Sequence, residues 1–390
     1  MKHLVCFFLR HPFSSVHLKK DVGLFPEHLG RFFDKVELLK VGEKKEPPFF
    51  FNKICVKNLF RNKSLYAADW KMYKGYEVFC ILSSMIYLMK HKEITHIMLF
   101  HVNRCSVYFS LLVKWFFPKK KIYIKIDGSR TTVDDLLSKN GLSSKRKFFL
   151  SIFRKVDLIS IETKQLFSEL ASSPYFQEKL ALVPNGVEEI SKCSVNKEKI
   201  VLSVARFGSY QKNTEFLLRC LEQIDWQDWI VYLVGSVEAL FQKNIEQFYE
   251  RRPELRKNII FLGEINDAEE LNVLYKRASV FILPSKFESF GIASLEAAVN
   301  GDYLILSDVG AAQDLILNER YGHILQDSAE GSQNEDRMAQ DCIATLKNII
   351  SGKIDTNDCL EERITYYTEN FTMENIVKKV CFKQWIGLDD

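Results

Sequence analysis

The chain has 390 residues, of which 47% are hydrophobic, and this length favours two domains over one. The net charge of +4 conceals an asymmetry, because residues 1–190 carry 32 Lys and Arg against 18 Asp and Glu, whereas the second half is acidic. The nine scattered cysteines form no Cys-x-x-Cys pair, which disfavours a zinc site and a disulfide framework. We find no signal peptide and no run of about 18 uncharged apolar residues. We therefore expect a two-domain cytoplasmic protein without a membrane-spanning helix.

Short apolar runs alternate with longer helical patterns, which predicts parallel sheets with right-handed helical crossovers. Strands are predicted at Leu4–Phe8, Ile97–Phe100, Ile122–Ile126, Leu158–Ile161, Ala181–Val183, Ile200–Val204, Ile230–Val234, Ile259–Phe261, Val280–Leu283 and Tyr303–Leu306. Predicted helices include Thr214–Ile224, Ala268–Arg277 and a C-terminal helix over Phe371–Trp385.

The strand and helix series restarts near Ile200, after the turn sequence Pro184-Asn185-Gly186 and a polar stretch. We expect an α/β domain over residues 1–187, a second over 188–370, and a C-terminal helix within 371–390 that packs back on the first domain. Both domains have the pattern of doubly wound, Rossmann-like sheets. Ligands of such sheets bind beyond the carboxyl ends of the strands, so we expect a site in a cleft between two facing domains.

The residue pattern of the segment Val280–Leu306 indicates a binding site for an anion. A buried-type strand runs into Pro284-Ser285, a loop follows, and Gly291 opens a helical stretch that Gly301 can end. The loop therefore lies at the carboxyl end of a strand and at the N-terminus of a helix, where free amides and the helix dipole favour an anion. Gly291 also allows a ligand to approach the backbone closely.

Two carboxylates flank this anion site. Glu288 lies in the loop, and Glu296 lies about a turn and a half into the helix, roughly 7 Å further along its axis. A carboxylate accepts hydrogen bonds well from the paired hydroxyls of a ribose. A diphosphate between a nucleoside and a sugar fits this layout, whereas two ordinary salt bridges are the alternative for the glutamates considered alone.

The sequence PSKFESFGIASLEAAVNG resembles the signature of the retaining glycosyltransferases of family 4, which have the GT-B fold. The family hallmark of Glu, seven residues and Glu is matched by Glu288 and Glu296. The family also has an Arg and a Lys after the first strand of the second domain, matched by Arg206 and Lys212 in SVARFGSYQKN. Further matches are VPNGV at 183–187, LVGS at 233–236 and FLGEI at 261–265. The resemblance is specific over Val183–Ile316 and weaker elsewhere.

The resemblance implies a function for individual residues. Arg206 and Lys212 would bind the donor diphosphate and neutralise the leaving group. Glu296 would hold the ribose hydroxyls, and Glu288 would lie near the donor sugar. The expected catalytic residues are Asp127, Arg206, Lys212 and Glu288. The expected donor-binding residues are Gly23, Arg206, Lys212, Gly263, Glu264, Ile265, Glu288, Ser289, Phe290, Gly291, Ile292 and Glu296.

Three positions depart from the family pattern. Ala205 stands where the family often has Gly before the Arg, and Tyr303 stands where it often has Pro. Neither change removes a group that binds the ligand. The N-terminal Gly-Gly loop of the family is not evident, and HLKKDVGLFPEHL with the single Gly23 takes its place. We still expect Asp21–Gly23 to lie near the diphosphate.

The first domain offers candidates on the acceptor side. Asp127 follows the strand in KKKIYIKIDGS, where the family has a polar residue near the donor sugar. A turn-forming Asp before Gly is the alternative interpretation of this position. His101, at the end of another strand, is a weaker candidate with a structural alternative.

Basic and aromatic residues alternate at residues 114–125 and again at 145–155. In KRKFFLSIFRK, the side chains of Phe148, Phe149, Ile152 and Phe153 share one helical face beside cations. This pattern is typical of a helix at an anionic membrane surface. An ordinary amphipathic helix that packs on the sheet has the same pattern.

The sequence therefore predicts a retaining glycosyltransferase that moves a sugar from a nucleoside diphosphate sugar, with UDP favoured over GDP, to a glycan or lipid-linked acceptor. Cell-surface polysaccharide or glycoconjugate synthesis is the expected context, on the inner face of the cell membrane. No Asp-x-Asp triplet occurs, so we expect no metal and no cofactor, and we expect no nucleic-acid partner. The alternatives are a nucleotide-sugar epimerase of the same fold and a non-catalytic nucleotide-sugar-binding protein.

Overall fold

A computed structural model of the chain describes residues 1–9, 13, 15–42, 46–61, 76–128, 130–137, 143–188, 197–328 and 334–388. The chain divides into two compact units. Unit 1 consists of Met1–Glu188 and Met373–Asp390, and unit 2 of Glu189–Thr372. Most of the polar stretch before Ile200, with Cys193, lies outside the described residues.

The strands are β1 (His3–Phe8), β2 (Lys35–Gly42), β3 (Phe49–Phe51), β4 (Ile54–Arg61), β5 (His96–Phe100), β6 (Lys121–Lys125), β7 (Leu158–Ile161), β8 (Leu180–Leu182), β9 (Glu198–Val204), β10 (Ile230–Val234), β11 (Ile259–Gly263), β12 (Ala278–Leu283), β13 (Tyr303–Leu306) and β14 (Gly322–Ile324). The α-helices are α1 (Asp21–Leu29), α2 (Tyr76–Lys90), α3 (Arg104–Phe116), α4 (Arg130–Leu137), α5 (Ser144–Ser151), α6 (Lys164–Ala171), α7 (Thr214–Leu221), α8 (Gln242–Arg251), α9 (Ala268–Arg277), α10 (Ile292–Val299), α11 (Ala312–Leu315), α12 (Glu335–Ile350), α13 (Leu360–Phe371), α14 (Met373–Val377) and α15 (Val380–Ile386).

Unit 1 is built on an eight-stranded sheet in the order β3-β4-β2-β1-β5-β6-β7-β8. Its paired strands are parallel except for β3, which runs antiparallel to β4. Helices α2 to α6 contribute to the core on one face of the sheet, whereas α1, α14 and α15 contribute to the core on the other. A sheet covered on both faces explains why central strands such as β1 and β5 are almost entirely apolar.

The C-terminal segment contributes directly to unit 1. Phe382 and Trp385 of α15 pack edge-on against Tyr123 of β6, and Phe382 also packs against Phe25 of α1. The prediction of one helix over Phe371–Trp385 is wrong, because the backbone is extended at Thr372 and again at Lys379. Two short helices follow α13 instead of one long helix.

The sequence pattern missed strand β2, because this buried strand contains a charged residue. Glu37 is fully buried and accepts hydrogen bonds of 2.6 Å from the ammonium of Lys57 and the hydroxyl of Tyr87. Burial alone would raise the pKa of Glu37, but hydrogen bonds from neighbours that include His3 and Lys35 hold it well below its ordinary value. The charge is therefore compensated inside the sheet. Strands β3, β4 and β14 were also missed.

Unit 2 contains a six-stranded parallel sheet in the order β11-β10-β9-β12-β13-β14. Its first strand in sequence, β9, pairs with both β10 and β12. The strand order therefore reverses beside β9, which is where doubly wound sheets place their ligands. The loops after β9 and β12 both leave the sheet at this point.

Within the described ranges, no helix is both long enough and apolar enough to cross a membrane.

Candidate functional site

The loop between β12 and α10 has the geometry that the sequence predicted. Gly291 lies just before the helix with φ of +95°, a backbone conformation that other residues adopt with strain. Its carbonyl oxygen accepts the first helical hydrogen bond, from the amide of Leu295 at 3.1 Å. The first amides of α10 have no partner within the helix and point away from its N-terminus, where an anion would bind.

A second loop, which follows β13, supports the first one. The amide of Ala311 donates a hydrogen bond of 2.9 Å to the carbonyl oxygen of Phe290. Gly310 packs so closely that a Cβ atom there would lie 2.7 Å from the carbonyl oxygen of Phe290 and 2.8 Å from Cβ of Glu288. The position of Glu288 therefore depends on a glycine distant in sequence.

Lys212 and Glu288 form the central contact of the site. The ammonium of Lys212 lies 2.5 Å from Oε1 of Glu288, and both side chains are largely buried. The hydroxyl of Ser285 donates to the same oxygen at 2.7 Å, and the side-chain amide of Gln211 donates through Nε2 to Oε2 at 3.3 Å. The carboxylate is thus held by three donors and stays oriented beside a cation.

The loop that carries Lys212 is attached to the loop that carries Glu288. The amide of Lys286 donates to the carbonyl oxygen of Gln211 at 2.8 Å. Asn213 has φ of +51° and immediately precedes α7, so the chain turns sharply after Lys212. The two loops come from strands that are neighbours in the sheet, β9 and β12, and the hydrogen bond fixes their separation.

Arg206 lies at the start of the same loop but is placed differently. Its side chain is 63% exposed, and Nε lies 3.4 Å from a carboxylate oxygen of Glu238. A solvent-exposed ion pair of this kind contributes little free energy and can exchange partners readily. Arg206 can therefore leave Glu238 for a more highly charged ligand.

Glu296 lies on α10 and is held by Tyr275 of α9. The phenol of Tyr275 donates to Oε2 of Glu296 at 3.0 Å, and Tyr275 is almost completely buried. Burial and the nearby carboxylate raise the pKa of Tyr275 well above its ordinary value, so the phenol keeps its proton and remains a donor. This contact, which the sequence did not predict, fixes one oxygen of the carboxylate.

Gly263, at the end of β11, has φ of +74° and open space where a Cβ atom would be. Its carbonyl oxygen accepts a hydrogen bond of 2.8 Å from the amide of Gly235, which follows β10. Glu264 and Ile265 continue from this strand end, on the same edge of the sheet as the loops after β9 and β12. Their predicted contact with the base stays a prediction.

The departure at Ala205 has a structural counterpart. A Cβ atom at Gly235 would lie 1.9 Å from the carbonyl oxygen of Ala205. The chain after β9 therefore approaches the chain after β10 closely because residue 235, which follows β10, is a glycine. Ala205 can carry its methyl group without disturbing this contact.

In unit 1, the structure brings together the two polar candidates at the strand ends. Nδ1 of His101 lies 3.6 Å from Oδ2 of Asp127, and the amide of His101 donates to the carbonyl oxygen of Lys125 at 3.0 Å. His101 has φ of +64°, which is uncommon for a residue with a side chain. The sharp turn after β5 directs the chain towards Asp127, whose catalytic role stays a prediction.

The sequence pattern did not predict that a buried cation lies beside Asp127. Lys125 is 1% exposed, pairs with Glu162, and donates to Oδ1 of Asn185 at 2.8 Å. Its ammonium also lies 3.4 Å from a carboxylate oxygen of Asp21. Burial raises the pKa of Glu162, against the opposing effect of Lys125. A lysine within the apolar strand KIYIK was the available signal, because an unpaired charge is rarely buried.

Gly23 is used for packing. It is the third residue of α1, and a Cβ atom there would lie 2.0 Å from the carbonyl oxygen of Leu18. Gly23 is buried by this contact, so the structure gives a packing reason for the glycine and no support for a contact with the donor. Asp21 lies at the start of the same helix, next to Lys125.

The structure favours the alternative interpretation of residues 145–155, an amphipathic helix that packs on the sheet, over a helix at a membrane surface. Phe149, Ile152 and Phe153 are buried in the core of unit 1, and only Phe148 of the four apolar residues is exposed. The apolar face of this segment packs on the sheet, so it is not free to enter a bilayer.

Across the residues that the structure describes, no group of three or more His, Cys, Asp and Glu side chains is arranged to hold a metal ion.

Comparison with known families identifies the part of the chain that carries the site. Residues 198–348 match the family model described as glycosyl transferases group 1. A glycosyltransferase of Methanocaldococcus jannaschii that is named as uncharacterized is 33% identical over 126 residues, which cover 32% of this chain and 31% of that protein. An uncharacterized 41.2 kDa protein in the cps region of Klebsiella pneumoniae is 30% identical over 208 residues, or 52% of this chain and 50% of the relative. The chain thus matches half or less of the length of these curated relatives.

Solved structures resemble the chain over nearly its whole length. Sucrose-phosphate synthase from Thermosynechococcus elongatus superimposes with a TM-score of 0.70 at 18% identity, and the match covers 96% of each chain. The Anabaena protein Alr3699/HepE, crystallised with UDP, gives a TM-score of 0.64 at 16% identity over 96% of this chain and 97% of the other. At these identities the likeness establishes the fold. The chain therefore has the fold of these structures, GT-B, and its residues 198–348 match the model of the glycosyl transferases group 1 family.

Proposed function

We propose that this protein is a retaining glycosyltransferase that transfers a sugar from a nucleoside diphosphate sugar to a glycan or lipid-linked acceptor. The observation that carries the proposal is the Lys212–Glu288 contact at the N-terminus of α10. A cation, a helix N-terminus and two carboxylates lie within one family domain, and these are the groups that a diphosphate, a sugar and a ribose require. UDP is favoured as the donor nucleotide, and a neighbour of the same fold was crystallised with UDP.

In the proposed reaction, the bond between the anomeric carbon and the diphosphate oxygen breaks, and the acceptor oxygen bonds to the same face of that carbon. The acceptor proton passes to the departing diphosphate. Lys212, Arg206 and the amides of α10 neutralise the charge that develops on the leaving group. Glu288 orients the donor sugar, and Glu296 holds the ribose. Asp127, supported by His101, is proposed to contact the sugar or the acceptor.

The proposed context is the synthesis of a cell-surface polysaccharide or glycoconjugate at the cytoplasmic face of the cell membrane. The relative from the cps region of Klebsiella pneumoniae supports this context. No metal is proposed to take part in the transfer.

The decisive experiment is a screen of nucleotide sugars by thermal shift, followed by UDP release with candidate acceptors. We expect a UDP-sugar to stabilise the protein, and the product to keep the anomeric configuration of the donor in its NMR spectrum. Activity should persist in EDTA. An epimerase would instead convert the donor without any acceptor, and undiminished transfer by both Glu296→Ala and Lys212→Ala would contradict the site.

A further inference from the structure

Helix α2 of unit 1 carries a stripe of exposed apolar side chains, here called the α2 stripe. It consists of Val78, Phe79, Leu82, Ile86 and Met89, each about half exposed. Their spacing of three and four residues places them within an arc of about 100° on the helix. The α2 stripe is therefore a continuous apolar surface along more than three turns.

The opposite face of α2 is already packed. Cys80, Met85 and Leu88 are buried in the core on that side of the sheet. A helix with one apolar face in the core normally has a polar outer face. Helix α2 has two apolar faces, and core packing accounts for only one of them.

Helix α3 packs beside α2 and extends the apolar surface. Tyr108 and Trp115 lie seven residues apart on one face of α3, and both are exposed, Trp115 by 75%. Phe116 is also exposed and stacks on Trp115 with ring centroids 5.7 Å apart. Together, the two helices expose apolar area on the order of several hundred Å², as large as the surfaces that usually serve binding.

The charges around this surface are positive. Between residues 76 and 128 the exposed charged side chains are five cations, Lys90, Lys92, Arg104, Lys119 and Lys121, and two carboxylates, Glu77 and Glu93. Lys90 ends α2 and Lys92 follows it, Arg104 begins α3, and Lys119 follows α3. A surface of phosphate-bearing lipids has the complementary charge. A second copy of this chain, paired by a two-fold axis, would instead bring these cations against their own equivalents.

We propose that α2 and α3 dock unit 1 on an anionic bilayer. The α2 stripe, Tyr108, Trp115 and Phe116 enter the headgroup boundary, and the surrounding cations lie at the level of the phosphates. This surface replaces segment 145–155 as the membrane contact. The inference rests on the proposed function only in that a lipid-linked acceptor requires a bilayer, and the docking is measured without donor or acceptor.

The test is co-sedimentation with vesicles of phosphatidylcholine that contain or lack phosphatidylglycerol, at low and physiological salt. We expect binding to the anionic vesicles, weakened by salt. Leu82→Gln/Ile86→Gln should reduce binding by about tenfold or more, since two embedded apolar groups are lost. The matched control is Leu240→Gln/Val273→Gln, which changes exposed apolar residues of unit 2 and should bind like the unchanged protein. Thermal melts check that both double variants are folded.

A second readout locates the contact. Lipids brominated on their acyl chains should quench the fluorescence of Trp115, and the quenching should disappear in Trp115→Phe. Absence of binding to anionic vesicles at low salt, or equal losses in the two double variants, would overturn the proposal. A dimer that Leu82→Gln/Ile86→Gln converts to a monomer, with vesicle binding unchanged, would assign the surface to a second copy instead. Loss of docking with UDP-sugar binding retained separates this inference from the donor site.

Discussion

The ammonium of Lys212 lies 2.5 Å from Oε1 of Glu288, so the cation expected to meet the donor diphosphate is already engaged by the carboxylate expected to meet the donor sugar. The two residues hold each other near the N-terminus of α10. A site that is oriented in advance loses less free energy to ordering when the ligand binds. The donor would add its diphosphate to an existing pair, with Glu288 kept in place by Ser285 and Gln211.

Replacing the cation should affect catalysis most. We expect Lys212→Ala to lower kcat by about 10²–10³-fold, because the leaving group loses a positioned positive charge. Initial rates of UDP release measure the effect. Lys199→Ala is the control, because Lys199 forms an exposed pair with Asp228 in the same unit, and it should change the rate little. Equal rates for the two variants would show that Lys212 does not act on the leaving group.

Tyr275→Phe should weaken nucleotide binding without emptying the site. The change removes the hydrogen bond to Glu296 and leaves the ring in the core, so we expect UDP affinity to fall by about 3–30-fold. Isothermal titration with UDP measures this change. Tyr249→Phe, which removes a hydrogen bond of 2.7 Å to the carbonyl oxygen of Ile259, should alter stability but leave affinity unchanged. A loss of affinity in both variants would indicate a general effect of stability.

Alanine substitutions at two glycines with positive φ can distinguish the effect of backbone strain from the effect of displacing the loop of Glu288. Gly310→Ala would push against Phe290 and Glu288, whereas Gly352 has φ of +75° and nothing within 4 Å of an added Cβ atom. Both alanines should lower the free energy of unfolding by about 1–2 kcal/mol through backbone strain. Only Gly310→Ala should also lower kcat, because only it displaces the loop of Glu288. Enzyme assays beside urea unfolding distinguish the two effects, and comparable kcat values would refute this role of Gly310.

Acid should destabilise unit 1 through His96. This residue is buried between Phe33 and Trp385, and burial lowers its pKa from 6.5 to about 4. The unfolded chain therefore binds a proton between pH 6.5 and pH 4 that the folded chain does not. The stability present above pH 6.5 falls as the pH drops towards 4, by up to about 3 kcal/mol.

Urea unfolding at pH 7.5 and pH 5.0 measures the contribution of His96. His96→Gln cannot titrate in this range, so the variant should lose less stability between the two pH values than the unchanged protein. The difference between the pH values is diagnostic, because the substitution can also alter stability at pH 7.5. Equal losses in both proteins would assign the acid sensitivity to other groups.

The loop between β12 and α10 could be predicted because its signals are local. Pro284 after a buried strand, Gly291 before a helix and Glu288 between them lie within eight residues, and each restricts the backbone by its own chemistry. The partners that orient the carboxylates could not be predicted in the same way. Tyr275 reaches Glu296 from another helix, and its phenol is one of many in the sequence.

The spacing of apolar residues predicted which segments form amphipathic helices, but it did not predict what the apolar face of each helix packs against. The apolar face of residues 145–155 was recognised, yet the same pattern serves a sheet or a bilayer, and Phe153 lies in the core. Helix α2 was not singled out, because a helix that is apolar on two faces has weak periodicity. The burial of Lys125 was not predicted, because buried strands are recognised by their apolar residues and a charge that is paired inside the protein does not show in that pattern.

Unit 1 is assembled from both ends of the chain, whereas unit 2 is continuous. During synthesis on the ribosome, unit 2 can therefore fold as soon as Thr372 has emerged. The first sheet must wait longer, because Phe25 and Tyr123 are covered by Phe382 and Trp385. Until α15 has emerged, unit 1 exposes an aromatic surface of the kind that chaperones recognise, so a chain cut before Lys379 would keep a complete unit 2 and an unfinished unit 1.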